Sequence, residues 1–455
     1  MVSEGRVQSL KPFKKEYKKE AFSMHTKRIL LFTVLLLMTP ALALASTARL
    51  EGLGVIPDFV EDYANMFNYP VSIARYPGLV IGELGVYAQY DRGFGATMGL
   101  GQDDEFGVFG IMLRENSNFT PVPNFVGTPG SQFDVLWGMN LGKASVGIRF
   151  DNSSSSFEEV DFEKWTPLYF IYTAGPQDIT INDMNTWALG FSAGMEVRES
   201  DRIEAAFEYR KLSFSVDFLT APRTTYEDKG NASFSIIGRG FFNVAENISL
   251  VPLFGYNKYD YSFKVKSEIA SAEDSADETL TNWRGGLGLK VDVGSWFMVG
   301  IGVSQSKQDV SAEYAVAPAP TALNTLVFKS TAAPFLFGCL ETELKDWLTV
   351  RFGAKKVLVN EDAEITFVGP GVDPVQYKSE NGMIPDELRS DVFSATGVRL
   401  PFFNEPFVFS LGVGFKFGDL DIDATMNDFY PFTGMYWLSG VEEIPFSRIS
   451  ATYHY

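Results

Sequence analysis

Histidine and cysteine are almost missing from this chain of 455 residues, which holds two of the first and one of the second. His25 and His454 stand far apart, so a Ser-His-acid triad, a Cys-His pair or a multi-histidine metal site has little to build on. With Cys339 alone, no intramolecular disulfide framework can form. Positive charge is also scarce. Against 57 Asp and Glu stand 38 Lys and Arg, a net charge of -19, which is not the basic footprint that a nucleic acid partner requires. Long apolar runs are missing too. The run from Ile29 to Met38 falls short of the roughly 20 residues of a spanning helix, and no later run is longer, which excludes a helical inner-membrane protein.

The amino terminus carries an export signal instead. Met24-His25-Thr26-Lys27-Arg28 is a basic start, Ile29 to Met38 an apolar core, and Ala43-Leu44-Ala45 an Ala-x-Ala cleavage site. Residues 24–45 therefore read as a signal peptide, with Ser46 as the first mature residue. Residues 1–23 have no apolar period and read as a leader upstream of the true start, or else as a long n-region. Losing residues 1–45 removes eight basic and three acidic residues and takes the charge to -24.

Aromatic residues make up 15% of the chain, with 40 Phe, and they sit in strands that alternate every second residue. Phe133, Val135, Trp137, Met139 and Leu141 share one face. After Gly142-Lys143 the pattern resumes with Ala144, Val146, Ile148 and Phe150, opposed by Ser145, Gly147, Arg149 and Asp151. Phe407, Phe409, Leu411, Val413, Phe415 and Phe417 repeat it most cleanly. The opposite faces carry Glu204, Glu208, Arg210, Arg284, Lys290, Asp292, Arg351, Lys355, Asp421 and Asp423. In a membrane barrel these must line the lumen, because Lys or Arg facing lipid at mid-bilayer costs roughly 2 to 4 kcal/mol. The last stretch states the same rule: Ile449, Ala451, Tyr453 and Tyr455 point one way, and Arg448, Ser450, Thr452 and His454 the other. A terminal aromatic on an apolar stripe is the expected closing strand and the signal for barrel-insertion machinery.

The fold class that follows is all-β, a transmembrane antiparallel β-barrel over residues 79–455 in a Gram-negative-type outer membrane, in contact with its lipid. Tight turns fall near Asp103-Asp104, Gly142-Lys143, Ser200-Asp201, Ala245-Glu246, Gly294-Ser295, Lys345-Asp346 and Gly418-Asp419, and long polar loops lie between them. One of these, Ser267 to Thr279, is acidic and reads as a solvated, mobile loop. Strand-like runs number about 17, the weakest being Asp391 to Phe402. Single-chain bacterial barrels hold even numbers, so 14 strands are expected, with 16 as the alternative.

Residues 46–78 precede the strands and read Glu61-Asp62-Tyr63-Ala64-Asn65-Met66-Phe67-Asn68-Tyr69-Pro70 at their centre. This acidic pair followed by Asn and Pro resembles the amino-terminal segment of the FadL-like family of outer-membrane transporters. Gly412 to Phe417, Leu420 to Ala424 and Arg448 to Tyr455 resemble the last strands of FadL-like and PorV-like barrels. The likeness implies a hatch inside the barrel, with Asp62, Asn65, Asn68 and Pro70 in it; the other reading is an ordinary periplasmic lead-in. Tyr69 interrupts the family's Asn-Pro pair. The family also carries a strand kink that opens the wall sideways. Here Ile248 and Leu250 give way to Tyr259, Tyr261, Phe263 and Val265 in the opposite phase, with Pro252 and Gly255 between. A kink, or a bulge where the strand leaves the membrane, is expected there.

The function implied is passive uptake of small hydrophobic molecules, with no cofactor and no catalytic residues. Two alternatives stay open: a general diffusion porin, and a structural or secretion-associated barrel that binds a protein through the aromatic loop Phe429 to Trp437. Acidic pairs such as Asp421 and Asp423 read as lumen wall rather than as general acid and base. A siderophore-type receptor would need a larger plug domain ahead of the barrel.

Overall fold

The computed structural model describes residues 47–85, 92–114, 131–155, 160–161, 178–198, 200–218, 224–267, 274–313, 323–367, 375–379, 407–426 and 446–455. The expected leader and signal peptide, the run Asp391 to Phe402 and the aromatic loop lie outside these residues. A short helix, α1 (Thr47–Leu53), and 3-10 turns at Pro57–Phe59, Tyr63–Phe67 and Pro70–Arg75 come first.

The strands follow in order: β1 (Leu79–Gly85), β2 (Arg92–Gly99), β3 (Val108–Arg114), β4 (Ser131–Leu141), β5 (Ala144–Ser155), β6 (Val160–Asp161), β7 (Asp178–Arg198), β8 (Asp201–Phe218), β9 (Thr224–Asp228) and β10 (Ala232–Ala245). They continue with β11 (Ile248–Ser267), β12 (Asp274–Asp292), β13 (Trp296–Glu313), β14 (Leu323–Lys345), β15 (Leu348–Phe367), β16 (Val375–Ser379), β17 (Phe407–Phe417), β18 (Leu420–Met426) and β19 (Phe446–His454).

All pairings are antiparallel, and β19 returns to β1 with Leu79 opposite His454 and Gly85 opposite Arg448, which closes the sheet. Sixteen strands make the circuit, because β6, β9 and β16 only extend it at the end away from the tight turns. The alternative of 16 therefore replaces the expected 14. The strands are also longer than a crossing requires. A membrane crossing needs about 9 to 11 residues, whereas β7 has 21, β12 has 19 and β14 has 23. Their outer halves stand clear of lipid and lose the apolar alternation that marks a strand. Thus Asp274 to Thr279, read as mobile loop, is the outer half of β12, paired with β11 and β13.

Lipid and lumen sort the side chains by parity. Phe94, Ile148, Phe191, Phe254, Leu287 and Ile301 project from the wall exposed, while Arg149, Glu204, Arg239 and Arg351 on the alternate positions are buried inside. At the tight-turn end, Trp347, Phe415 and Phe417 stack into one aromatic row, and Tyr453 and Tyr455 are exposed beside it. This is the girdle that amphipathic rings form at a membrane surface. In the closing strand Ile449 is half-buried and Ala451 buried. Tyr455 donates its backbone N–H to Gly78 and its hydroxyl to the Thr97 carbonyl at 2.9 Å. Tyr455→Ala is expected to lower the fraction of barrel that assembles, seen as less heat-modifiable band on a gel. Alanine keeps the backbone N–H, so one hydrogen bond is lost, worth about 1 kcal/mol, together with the ring's packing.

No register shift marks the kink or bulge expected at Pro252. Pairing of β11 with β12 runs unbroken from Ile248 to Val265, and Arg239 opposite Leu253 keeps the register of Phe242 opposite Leu250 on β10. The apparent change of phase is a change of environment. Val251 and Leu253 face inward onto an apolar cluster and Phe254 faces lipid, while Tyr259, on the inward parity, lines the outer lumen. The irregularity of this wall lies one strand away. β9 and β10 share one slot between β8 and β11, broken at Lys229 to Asn231. Gly230 takes a φ of 93° there. The Asp228 carboxylate accepts from the N–H groups of Phe214 and Gly230, and Asn231 Oδ1 accepts from Ser262, so side chains replace the missing ladder bonds.

Candidate functional site in the lumen

Residues 47–76 occupy the lumen. α1 packs on β14, β15, β17, β18 and β19, the Pro57–Phe59 turn on β11, and the Pro70–Arg75 turn on β3, β4, β5 and β7. Three features of the sequence seat this segment. The first is glycine on the inner wall, where a side chain would collide with backbone. A Cβ on Gly353 would lie 1.8 Å from the Leu53 carbonyl oxygen, one on Gly147 2.2 Å from the Val71 nitrogen, and one on Gly412 3.0 Å from Gly52 Cα.

The second feature is a dry apolar contact. Leu50, Leu53, Val55, Phe59 and Val60 pack on Val251, Leu253, Met298, Phe335, Phe337, Cys339 and Val357 of the wall, and Phe59 meets the Phe337 ring at 4.7 Å. A second cluster joins Met66 and Ile73 to Leu79, Ile81, Val108, Met112 and Leu136.

Ion pairs between segment and wall are the third. Arg49 bonds Glu341 at 2.8 Å and Asp62 at 2.7 Å; Asp58 pairs with Arg284 and Glu61 with Arg202; Arg75 reaches Glu204 at 2.6 Å. Arg448 holds Glu51 at 2.9 Å. Buried charges persist in such a place only when paired and hydrogen-bonded. Arginine dominates because its planar fork satisfies two carboxylates at once.

The residues singled out from the sequence are distributed over this network. Asp62 caps the Tyr63–Phe67 turn, accepting from Ala64 at 3.0 Å; burial pushes its carboxyl up, and Arg49 opposes that shift. Asn65 donates to the Val60 carbonyl at 2.6 Å, and Asn68 to Asp58 at 3.4 Å. Pro70 opens the last turn and lies over Gly147. Tyr69 is fully buried beneath Arg239, 4.2 Å from guanidinium to ring, and burial pushes its hydroxyl up.

On the wall, Glu204 meets Arg75, Arg202 and Arg239, and Glu208 meets Arg149 and Arg210. Arg351 bridges Glu341 and Asp423. Lys290 with Asp292, and Asp421 with His454, sit apart from this network near the tight turns. Sequence reading missed Arg49, Arg75, Asp134, Arg239 and Glu341 as site residues. Asp134 was findable, since it stands between the apolar Phe133 and Val135 on the inward parity, where it pairs with Arg114 and Arg149.

Two cavities flank the segment. The larger, about 670 Å³, is lined by Leu50, Val55, Pro57, Ala64, Phe67 and Met426 together with Arg92, Arg114, Lys355, Arg448, Glu51 and Glu83. The smaller, about 250 Å³, lies against β8, β10, β11 and β12 and is mostly polar. Phe67 and Asn68 line both and form the partition. Phe67 is fixed between two guanidiniums, Arg114 at 4.1 Å and Arg149 at 5.7 Å from its ring. Among the described residues no group of three or more His, Cys, Asp or Glu is placed to hold a metal ion.

No protein-family model matches the chain, and no curated protein matches it. The structure is similar to solved barrels of FadL-family transporters. A Pseudomonas aeruginosa FadL homologue matches at 12% identity over 91% of this chain and 99% of its own, with a TM-score of 0.41. The Pseudomonas putida toluene transporter TodX matches at 10% identity, 90% and 96% coverage and a TM-score of 0.40. For the Ralstonia pickettii toluene transporter TbuX the values are 10%, 90%, 97% and 0.39. At these values no cargo or residue role carries over from one chain to the other; the chain itself is a closed antiparallel β-barrel.

Proposed function

We propose that this barrel is a plugged outer-membrane channel for the passive uptake of small hydrophobic molecules, with the lumen segment as its hatch. The observation that supports this most is the dry packing of Leu53, Val55 and Phe59 against the wall beside a 670 Å³ chamber. A general diffusion porin needs a continuous water-filled lumen, and an apolar contact across the bore works against one. The chamber's size is that of a drug-sized ligand site, and its lining combines apolar side chains with six charged ones that would orient a solute.

Bilayer conductance and proteoliposome uptake test the reading together. The mature protein is expected to show no steady open steps in a planar bilayer, and to carry a small aromatic hydrocarbon into proteoliposomes faster than protein-free vesicles admit it. Ala64 lines the chamber, so Ala64→Trp, which fills it, is expected to lower that uptake several-fold while the barrel stays folded. Uptake unchanged by Ala64→Trp, or steady ohmic steps from the unaltered protein, would sink the proposal.

A further inference from the structure

The smaller cavity has a chemistry of its own. It is walled mainly by Arg149, Arg210, Glu208, Tyr259, Arg284 and the β10 serines, with Phe67, Phe207, Phe234 and Ile237 between them. The charged groups are not equally committed. Arg149 and Arg210 point their nitrogens at Asp134, Asp151 and Glu208, at 2.7 to 3.3 Å. Glu208 is therefore held by two guanidiniums and is a satisfied wall group. Arg284 differs: one of its terminal nitrogens goes to Asp58, while its Nε is buried with no hydrogen-bond partner. Gly255 lies directly under this guanidinium, where a Cβ would come 3.0 Å from Nε and 3.1 Å from Cγ, so glycine gives the arginine its place. Two residues before Arg284 on the same strand, Asn282 Oδ1 is buried and unpartnered as well.

A buried donor without an acceptor costs its full desolvation penalty, about 1 to 3 kcal/mol and more for a charged group. Arg284 Nε is such a donor; Tyr259, Ser233 and Ser235, whose hydroxyls can donate as well as accept, line the same chamber, and its one carboxylate is already doubly bound. Arg149 and Arg210 are offset by Asp134, Asp151 and Glu208, which leaves Arg284, bonded once to Asp58, as the guanidinium with a donor to spare. What fits is a compact acceptor with negative charge, small enough for about 250 Å³. We propose that the chamber is a binding site for a small hydrophilic oxyanion, a carboxylate or phosphate held by Arg284 and Tyr259, separate from the chamber proposed for hydrophobic solutes. Charge-assisted bonds from arginine to an oxyanion are the strong class of such contacts. The Phe67–Asn68 partition places the anion beside the lumen segment and away from the other chamber.

The test is a calorimetric titration of the purified, detergent-solubilised full barrel with acetate and with inorganic phosphate at constant ionic strength. Saturable one-to-one binding of either is expected, and the tighter of the two identifies the class. Tyr259→Phe should weaken it roughly tenfold, the loss expected for a hydrogen bond to a charged group, and Arg284→Gln should abolish it. Because Arg284 also holds Asp58, a third variant guards against simple disruption: Ser235→Leu fills the chamber without touching an ion pair and should abolish binding in a barrel that remains heat-modifiable. Absence of saturable binding by both anions would overturn the proposal. So would equal affinity in the unaltered, Tyr259→Phe and Ser235→Leu proteins.

Discussion

Gly353→Val is expected to turn a closed barrel into a conducting one. The position lies on the inner face of β15, and a Cβ there would stand 1.8 Å from the Leu53 oxygen, 2.3 Å from its carbonyl carbon and 2.8 Å from the Gly54 nitrogen. These are backbone atoms, so no rotamer change relieves the clash, and the carboxyl end of α1 must lift. Lifting it uncovers Leu53, Val55 and Phe59, each worth about 1.5 to 3 kcal/mol when fully buried. It also strains the bonds from the Ala48 N–H to Ser450 and from the Thr425 hydroxyl to the Ala48 carbonyl.

The wall itself has no reason to fail in this variant. Gly353 keeps its partners Cys339 and Ser410 in the ladder, and valine suits a strand. The variant should therefore assemble, show steady open steps in a planar bilayer, and expose residues 47–76 to protease. Gly338→Ala is the matched control, because its Cβ would meet only ordinary contacts at 3.8 Å or more. A Gly353→Val barrel as silent and as protease-resistant as the parent would show that the lumen segment is not what closes the bore.

How much of this was legible beforehand follows from which signals are local. Parity is local. Phe407 to Phe417 show the membrane face without knowledge of any partner strand, and all seven tight turns could be placed from pairs such as Gly142-Lys143 and Gly418-Asp419. Glycine at such turns takes positive φ, 73° and 66° in these two. Strand length was not legible, because beyond the membrane the selecting solvent on both faces is water. Asp274 to Thr279 then looks like any acidic loop, although it is ladder.

The ion-pair network was the least visible part. Arg49 and Glu341 are separated by 292 positions and meet only once the sheet has closed. Asp62 was singled out only through the family likeness of its stretch, and its capping bond to Ala64, two residues on, emerged with the structure. Arg239 belongs to a strand with no other inward charge and gave no pattern. Pro252 misled for a similar reason, since proline signals a bulge only when the environment of its strand is constant along its length, and here the inward side changes from apolar cluster to polar chamber.

Glu204→Gln is expected to be the most damaging single substitution in the network. The carboxylate is fully buried, accepts hydrogen bonds from Arg75 at 2.6 Å and Arg239 at 2.8 Å, and forms an ion pair with Arg202 at 2.8 Å, with Arg239 itself fully buried. Glutamine keeps the shape and removes the charge, leaving three guanidiniums converging on a neutral amide. Breaking a buried pair in this way costs about 3 to 5 kcal/mol, because the surviving charges stay out of water. Burial also means that salt screens the interaction weakly, so the defect should persist at high ionic strength, unlike the loss of an exposed pair such as Lys307 with Asp309. The measurement is the temperature at which the folded gel band is lost, expected to fall sharply for Glu204→Gln and little for Glu204→Asp, which keeps the charge. Adding Arg75→Gln to Glu204→Gln removes one of the stranded cations, and the double variant should recover part of the lost temperature. Independent contributions would instead add. Recovery would identify repulsion among the arginines as the cause, whereas a further additive fall would mean that Glu204 acts through its shape and hydrogen bonds alone.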